Sequence, residues 1–181
     1  ASAEPLSGEE AEDLHVLLQR LNIDSAIFYG MSSGSRSNMV LAERYPEQVD
    51  ALIIAPLTGG PIAAQRIADE YFLSYLRDDS LTSMEAVAQT PLWKGYMERN
   101  SPELQKIFME QDIDDFLRTM KMTGDYLASF HAKTTLGMTD EQLMSLEVPA
   151  TLILHHGQEI DFLHPKVNAR AATTLLQNST F

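Results

Sequence analysis

With 181 residues, 44% of them hydrophobic and 22% charged, the chain is long enough to bury one sizeable core and ordinary in composition for a globular protein. Its formal net charge of −13 argues against nucleic-acid backbones and anionic membrane surfaces as partners. The absence of cysteine excludes a disulfide framework and thiolate chemistry, and no apolar run approaches the roughly 20 residues of a membrane span. No signal peptide is visible. Lack of cysteine alone does not fix the compartment; a cytoplasmic rather than a secreted protein is the expectation.

Residues 1–6 read as a loop. Ser7 and Glu10 form a capping-box pattern, after which Ala11, Leu14, Leu17, Leu18 and Leu21 share one helical face. Residues 22–24 turn the chain into a short apolar run at 26–29, predicted to be a buried strand. The turn Gly30-Met31-Ser32-Ser33-Gly34 follows, then a helical pattern carrying Met39, Val40, Ala42 and Tyr45, which Pro46 stops. Residues 49–55 form a nearly continuous apolar run that suits a parallel sheet covered on both faces. The order helix, strand, helix, strand predicts an α/β fold built on a parallel sheet.

From Leu57 to about Gly137 no strand is predicted. Helical segments fit instead at 62–76, 83–89, 92–99, 102–110 and 113–129, with Ser101-Pro102 as an N-cap followed by proline at the first helical position. Roughly 80 residues of helix exceed what a βαβ crossover needs, so 59–139 reads as an inserted helical cap and 1–58 with 140–181 as the core. The insertion's aromatic and methionine side chains read mostly as its own core. Thr139 and Gln142 form a second capping box. Val148-Pro149 leads into a strand at 150–155, 157–164 is a loop, and Pro165 opens a helix reaching about Leu176. Ser179-Thr180-Phe181 begins a further strand.

Strand, Gly-x-Ser-x-Gly and helix, in that order, are the context of a nucleophile elbow. The turn strains the serine backbone, and glycines two residues either side remove Cβ atoms that would clash. Ser32 Oγ is then pushed out at the carboxyl edge of the sheet, and the helix N-terminus behind it stabilises developing negative charge. The bland alternative is a serine-rich βα turn with two helpful glycines. The flanking strand and helix favour Ser32 as a nucleophile.

These residues carry a resemblance. The segments at 11–14, 30–34 and 44–49, resumed at 148–154 and from His156-Gly157 through Asp161-Phe162-Leu163-His164-Pro165, resemble the α/β-hydrolase fold superfamily, in its capped serine-hydrolase, esterase-like branch. The resemblance implies a partial α/β-hydrolase fold: the elbow strand is the family's fifth, the first four would lie before Ala1, and the last strand with the catalytic histidine would lie after Phe181. It implies Ser33 as a backbone oxyanion donor, since the residue after the nucleophile supplies one in this fold. Asp161 is implied as the acid when the loop is aligned on His164-Pro165, with Glu159 as its rival. The base is expected some 25–30 residues beyond Asp161. None of His15, His131, His155, His156 and His164 sits there, and His164 reads as a loop-structuring residue beside proline. Consecutive His155 and His156 point to opposite faces of a strand and cannot chelate one metal. Neither cofactor nor metal is expected. The implied activity is hydrolysis of a carboxylic ester or related acyl compound, a small apolar ester-like substrate, through an acyl-enzyme at Ser32. The same triad serves C–C hydrolases and perhydrolases, and the same fold serves non-catalytic small-molecule receptors. Without its base, the 181-residue chain by itself is expected to be inactive.

Overall fold

The computed structural model describes residues 7–155, 157 and 161–181. The Ser7 side chain, His156 and Glu159 therefore lie outside the described residues. Four parallel strands, β1 (Ala26–Gly30), β2 (Val49–Ile54), β3 (Thr151–Ile153) and β4 (Ser179–Thr180), form one sheet in the order β1-β2-β3-β4. Helix α1 (Ser7–Leu21) precedes β1, and α2 (Ser33–Arg44) makes the crossover to β2. Helices α3 (Pro61–Ile67), α4 (Met84–Ala88), α5 (Pro91–Arg99), α6 (Pro102–Met109), α7 (Ile113–Ala128) and α8 (Asp140–Ser145) separate β2 from β3, and α9 (Lys166–Leu175) joins β3 to β4. Among the described residues no strand lies between Ile54 and Thr151.

The chain forms two compact units, Ala1–Ile67 with Tyr126–Phe181, and Ala68–Asp125. In the first, Leu52 and Ile54 of β2 and Ile153 of β3 meet Met39 and Leu41 of α2, Leu143 of α8 and Ala172 of α9 in one core. Val49, Leu52 and Ile54 of β2 are buried, Ala51 and Ile53 are partly covered, and Asp50 is exposed. The α8 start carries the capping box read from the sequence: Thr139 Oγ1 accepts from Gln142 N at 3.1 Å, and Gln142 Oε1 accepts from Thr139 N at 2.8 Å.

Helix α2 is buried from Ser35 to Ala42, polar residues included. Ser35 Oγ donates to Gly30 O at 2.7 Å, and Ser37 Oγ donates to the Glu10 carboxylate. Arg36 is almost wholly buried. Desolvation pulls its guanidinium below the ordinary arginine value, and the negative charge of Glu10 opposes that pull.

The second unit is helical. Tyr75, Val87, Phe108, Phe116 and Met120 form its core, and Ser101 caps α6 by accepting from Leu104 N at 3.4 Å. The single helix predicted at 62–76 is broken into three pieces: α3 ends at Ile67, a π-helical turn spans Ala68–Phe72, and a 3-10 turn spans Leu73–Arg77. The change of pitch seats Leu73 against Gly124, where a Cβ would stand 2.5 Å from Leu73 Cδ2, and lets Phe72 join Tyr75 at the same core.

The strand predicted at 26–29 forms at an edge of the sheet, without the burial expected for it. Among the described residues β1 pairs only with β2, and Ile27 and Tyr29 are 64% and 60% exposed. A short apolar run shows that a strand forms; it does not show how many of its sides are covered. Truncating Leu52 to Ala is expected to cost about 2–5 kcal/mol in urea unfolding, whereas Ile27→Ala is expected to stay within about 0.5 kcal/mol. Equal costs would put β1 inside the sheet.

Candidate active site

Strand β1 ends at Gly30 and α2 begins at Ser33, which leaves Met31 and Ser32 to reverse the chain. Ser32 has φ 49° and ψ −111°. Such a backbone costs a non-glycine residue about 1–3 kcal/mol and persists only where the surroundings enforce it. Here they do: Ser32 N donates to Pro56 O at 3.2 Å, Gly34 N to Met31 O at 2.8 Å and Ser35 N to Ser32 O at 3.1 Å. The two glycines are not equivalent. A Cβ on Gly30 would lie 2.6 Å from Gly34 O and 2.7 Å from Asn38 Nδ2, so no other residue fits. A Cβ on Gly34 would meet nothing within 4 Å. The sequence reading gave both glycines a steric role; only Gly30 has it, because α2 closes over Gly30 and turns Gly34 outward.

Ser32 Oγ lies 3.0 Å from His164 Nε2, and His164 Nδ1 lies 2.8 Å from Asp161 Oδ2. The imidazole bridges the two, although it stands three residues after the acid in a loop where the sequence suggested only a structural histidine. A carboxylate oxygen only accepts, so Nδ1 carries the proton and Nε2 offers its lone pair to the serine hydroxyl. Both side chains are largely buried, at 14% exposure for His164 and 18% for Asp161, which weakens competition from water for these bonds. Ser33 N–H opens α2 and has no acceptor among the described residues.

The loop is tied on several sides. Asp161 Oδ1 accepts from Leu163 N at 2.9 Å and His164 N at 3.1 Å, so the acid also shapes the turn that presents the imidazole. Gly59 N donates to Leu163 O at 3.4 Å. His155 Nε2 donates to His164 O at 3.1 Å while its Nδ1 accepts from Gly157 N at 3.0 Å, which sets its tautomer. Sequence reasoning missed Thr58. Its Oγ1 stands 3.1 Å from Ser32 Oγ. With the serine proton directed at His164, Thr58 Oγ1 donates to Ser32 Oγ. Thr58 is itself held by its carbonyl, which accepts from Leu136 N at 3.0 Å and Thr135 Oγ1 at 3.1 Å. The only sequence signal for it was a polar residue soon after a buried strand, where α/β sheets place their ligands.

The other described histidines have partners elsewhere. His15 stacks on Tyr45 at 3.7 Å and pairs with Gln48 and Gln19, and His131 Nδ1 contacts Ala128 O. Among the described residues no group of three or more His, Asp or Glu is placed to hold a metal ion, and no helix is long and apolar enough to cross a membrane.

No family model and no curated relative matches the chain. Solved structures do. An alpha/beta hydrolase enzyme from a Medee basin deep-sea metagenome library aligns with 93% of this chain and 60% of its own length, at 21% identity and a TM-score of 0.53. A thermophilic esterase from Thermogutta terrifontis aligns with 100% and 62%, at 19% identity and a TM-score of 0.50. A mutant of the meta-cleavage product hydrolase from Pseudomonas fluorescens aligns with 94% and 60%, at 19% identity and a TM-score of 0.53. The fold is thus a partial α/β-hydrolase fold. The chain spans about three fifths of the length of each of these structures.

The asymmetry of the elbow is directly testable. Gly30→Ala is expected to destabilise the protein by several kcal/mol or prevent folding, since the added methyl meets backbone. Gly34→Ala is expected to be neutral or slightly stabilising, because alanine is the better helix former. Thermal melts of the two variants check this, and a comparable loss in both would contradict it.

Proposed function

We propose that the protein is a serine hydrolase that cleaves a carboxylic ester or related acyl substrate, small and apolar, through an acyl-enzyme at Ser32. The observation that carries this reading is the bond sequence Asp161–His164–Ser32, with each donor facing its acceptor. In the proposed route Ser32 Oγ attacks the ester carbonyl carbon and its proton passes to His164 Nε2. Asp161 holds the imidazole in its tautomer and stabilises the imidazolium. The Ser33 N–H, at the positive end of α2, donates to the tetrahedral oxyanion; a donor of this kind is worth about 3–4 kcal/mol of barrier. Collapse of the intermediate returns the proton from Nε2 to the leaving alkoxide. A water then repeats the sequence on the acyl-enzyme and frees the acid. Thr58 Oγ1 keeps Ser32 aimed at the imidazole between turnovers.

The likeness to a meta-cleavage product hydrolase supports a second reading, C–C bond hydrolysis by the same three residues. The two part on substrate: the first expects turnover of short-chain p-nitrophenyl esters, the second turnover of a meta-cleavage product in preference to esters. In either case a fluorophosphonate probe is expected to label Ser32 in the 181-residue chain. Ser32→Ala is expected to abolish labelling and turnover. His164→Ala and Asp161→Asn are each expected to lower turnover by about three to four orders of magnitude, and Glu159→Gln by less than about tenfold. Unchanged labelling in His164→Ala would remove His164 as the base. A probe-silent chain that still binds a small apolar ester would make the protein a receptor.

A further inference from the structure

The helical unit Ala68–Asp125 contains a cavity of about 560 Å³ lined only by its own residues. This is within the size range of small-molecule sites. Helix α5 contributes Trp93 and Tyr96, α6 contributes Phe108, and α7 contributes Phe116. The rings pack on one another, Trp93 against Phe108 at 4.5 Å and against Phe116 at 5.7 Å, and so form a continuous aromatic wall. Asp112 and Asp115, at the start of α7, are exposed at its mouth, and no lysine or arginine lines it.

The potential at the mouth is set by the charges around it. Asp115 Oδ1 is engaged by Arg118 at 2.7 Å, which cancels one charge. Lys106 on α6 is paired with Glu110. The α7 N-terminus adds about half a positive charge. Asp112 Oδ1 accepts from Asp115 N at 3.0 Å, and no cationic side chain among the described residues pairs with it, so against the helix end a net negative charge of about one half remains. An aromatic wall adds its own preference, since ring faces attract cations.

We propose that this cavity binds a small organic cation with an apolar body, of the arylalkyl-ammonium class, and that it does so independently of Ser32. The body replaces water against Trp93, Tyr96, Leu104 and Ile107, with the buried rings of Phe108 and Phe116 behind them, and the ammonium sits at Asp112.

Trp93 is the only tryptophan in the chain, so its fluorescence reports on this cavity alone. In the 181-residue protein, titration with benzyltrimethylammonium is expected to change Trp93 emission saturably. Its uncharged isostere neopentylbenzene is expected to bind at least about fivefold more weakly, and phenylacetate not at all. Asparagine caps a helix as well as aspartate does, so Asp112→Asn is expected to keep the fold by circular dichroism while weakening the cation about threefold or more. Ser32→Ala is expected to leave binding unchanged. The proposal is overturned by equal binding of the neutral isostere, by unchanged affinity in folded Asp112→Asn, or by the absence of a saturable response. It is also overturned if sedimentation shows the aromatic cleft buried in a dimer that the cation does not perturb.

Discussion

The Asp161 carboxylate does two things at once. One oxygen accepts two backbone N–H groups of its own turn, and the other accepts the Nδ1–H of His164. The first pair of bonds fixes the loop, and the loop fixes where the imidazole stands. The third bond fixes which nitrogen faces Ser32. Charge-assisted bonds of this kind in a largely buried setting are stronger than neutral ones, and removing the acid would release loop shape and tautomer together. The spacing of three residues between Asp161 and His164 permits this pairing only because the turn folds back on the carboxylate. A longer spacing would need a strand and a helix to do the same.

The serine is held from the opposite side by different means. Its strained backbone is enforced where β1 gives way to α2, by three hydrogen bonds and by the missing side chain at Gly30. Helix α2 in turn is fixed by burial on every side, with Ser35 bonded back to Gly30 and Ser37 to Glu10. Arg36 is the costly member of that helix, a desolvated cation whose attraction to Glu10 offsets only part of its burial. The site thus joins a rigid sheet-to-helix turn with a loop tied down by His155 and Gly59.

Much of this was legible in the sequence, and the reasons are physical. The elbow is a local pattern, fixed by residues 26–45, so strand, turn and helix were readable from spacing. The capping boxes and the proline-led helices are local for the same reason, and Thr139 and Ser101 fall where their patterns put them. What could not be read depends on long-range placement. The unneeded Cβ space at Gly34 depends on the direction α2 takes. The break in the helix at Ala68 answers a contact with Gly124, more than fifty residues later. His164 and Thr58 belong here too. Each meets Ser32 only once β2 and β3 lie side by side in register, Ile54 against Ile153.

The Asp161–His164–Ser32 arrangement requires the imidazole of His164 to carry its proton on Nδ1, toward Asp161, with Nε2 open to Ser32. Long-range proton–nitrogen correlation spectra of the ¹⁵N-histidine-labelled 181-residue chain, assigned with His164→Gln, read that tautomer directly. His164 is expected in the Nδ1–H form, lost in Asp161→Asn and perturbed at Nε2 in Ser32→Ala. A His164 found in the Nε2–H form, or one whose signals ignore both substitutions, would contradict it.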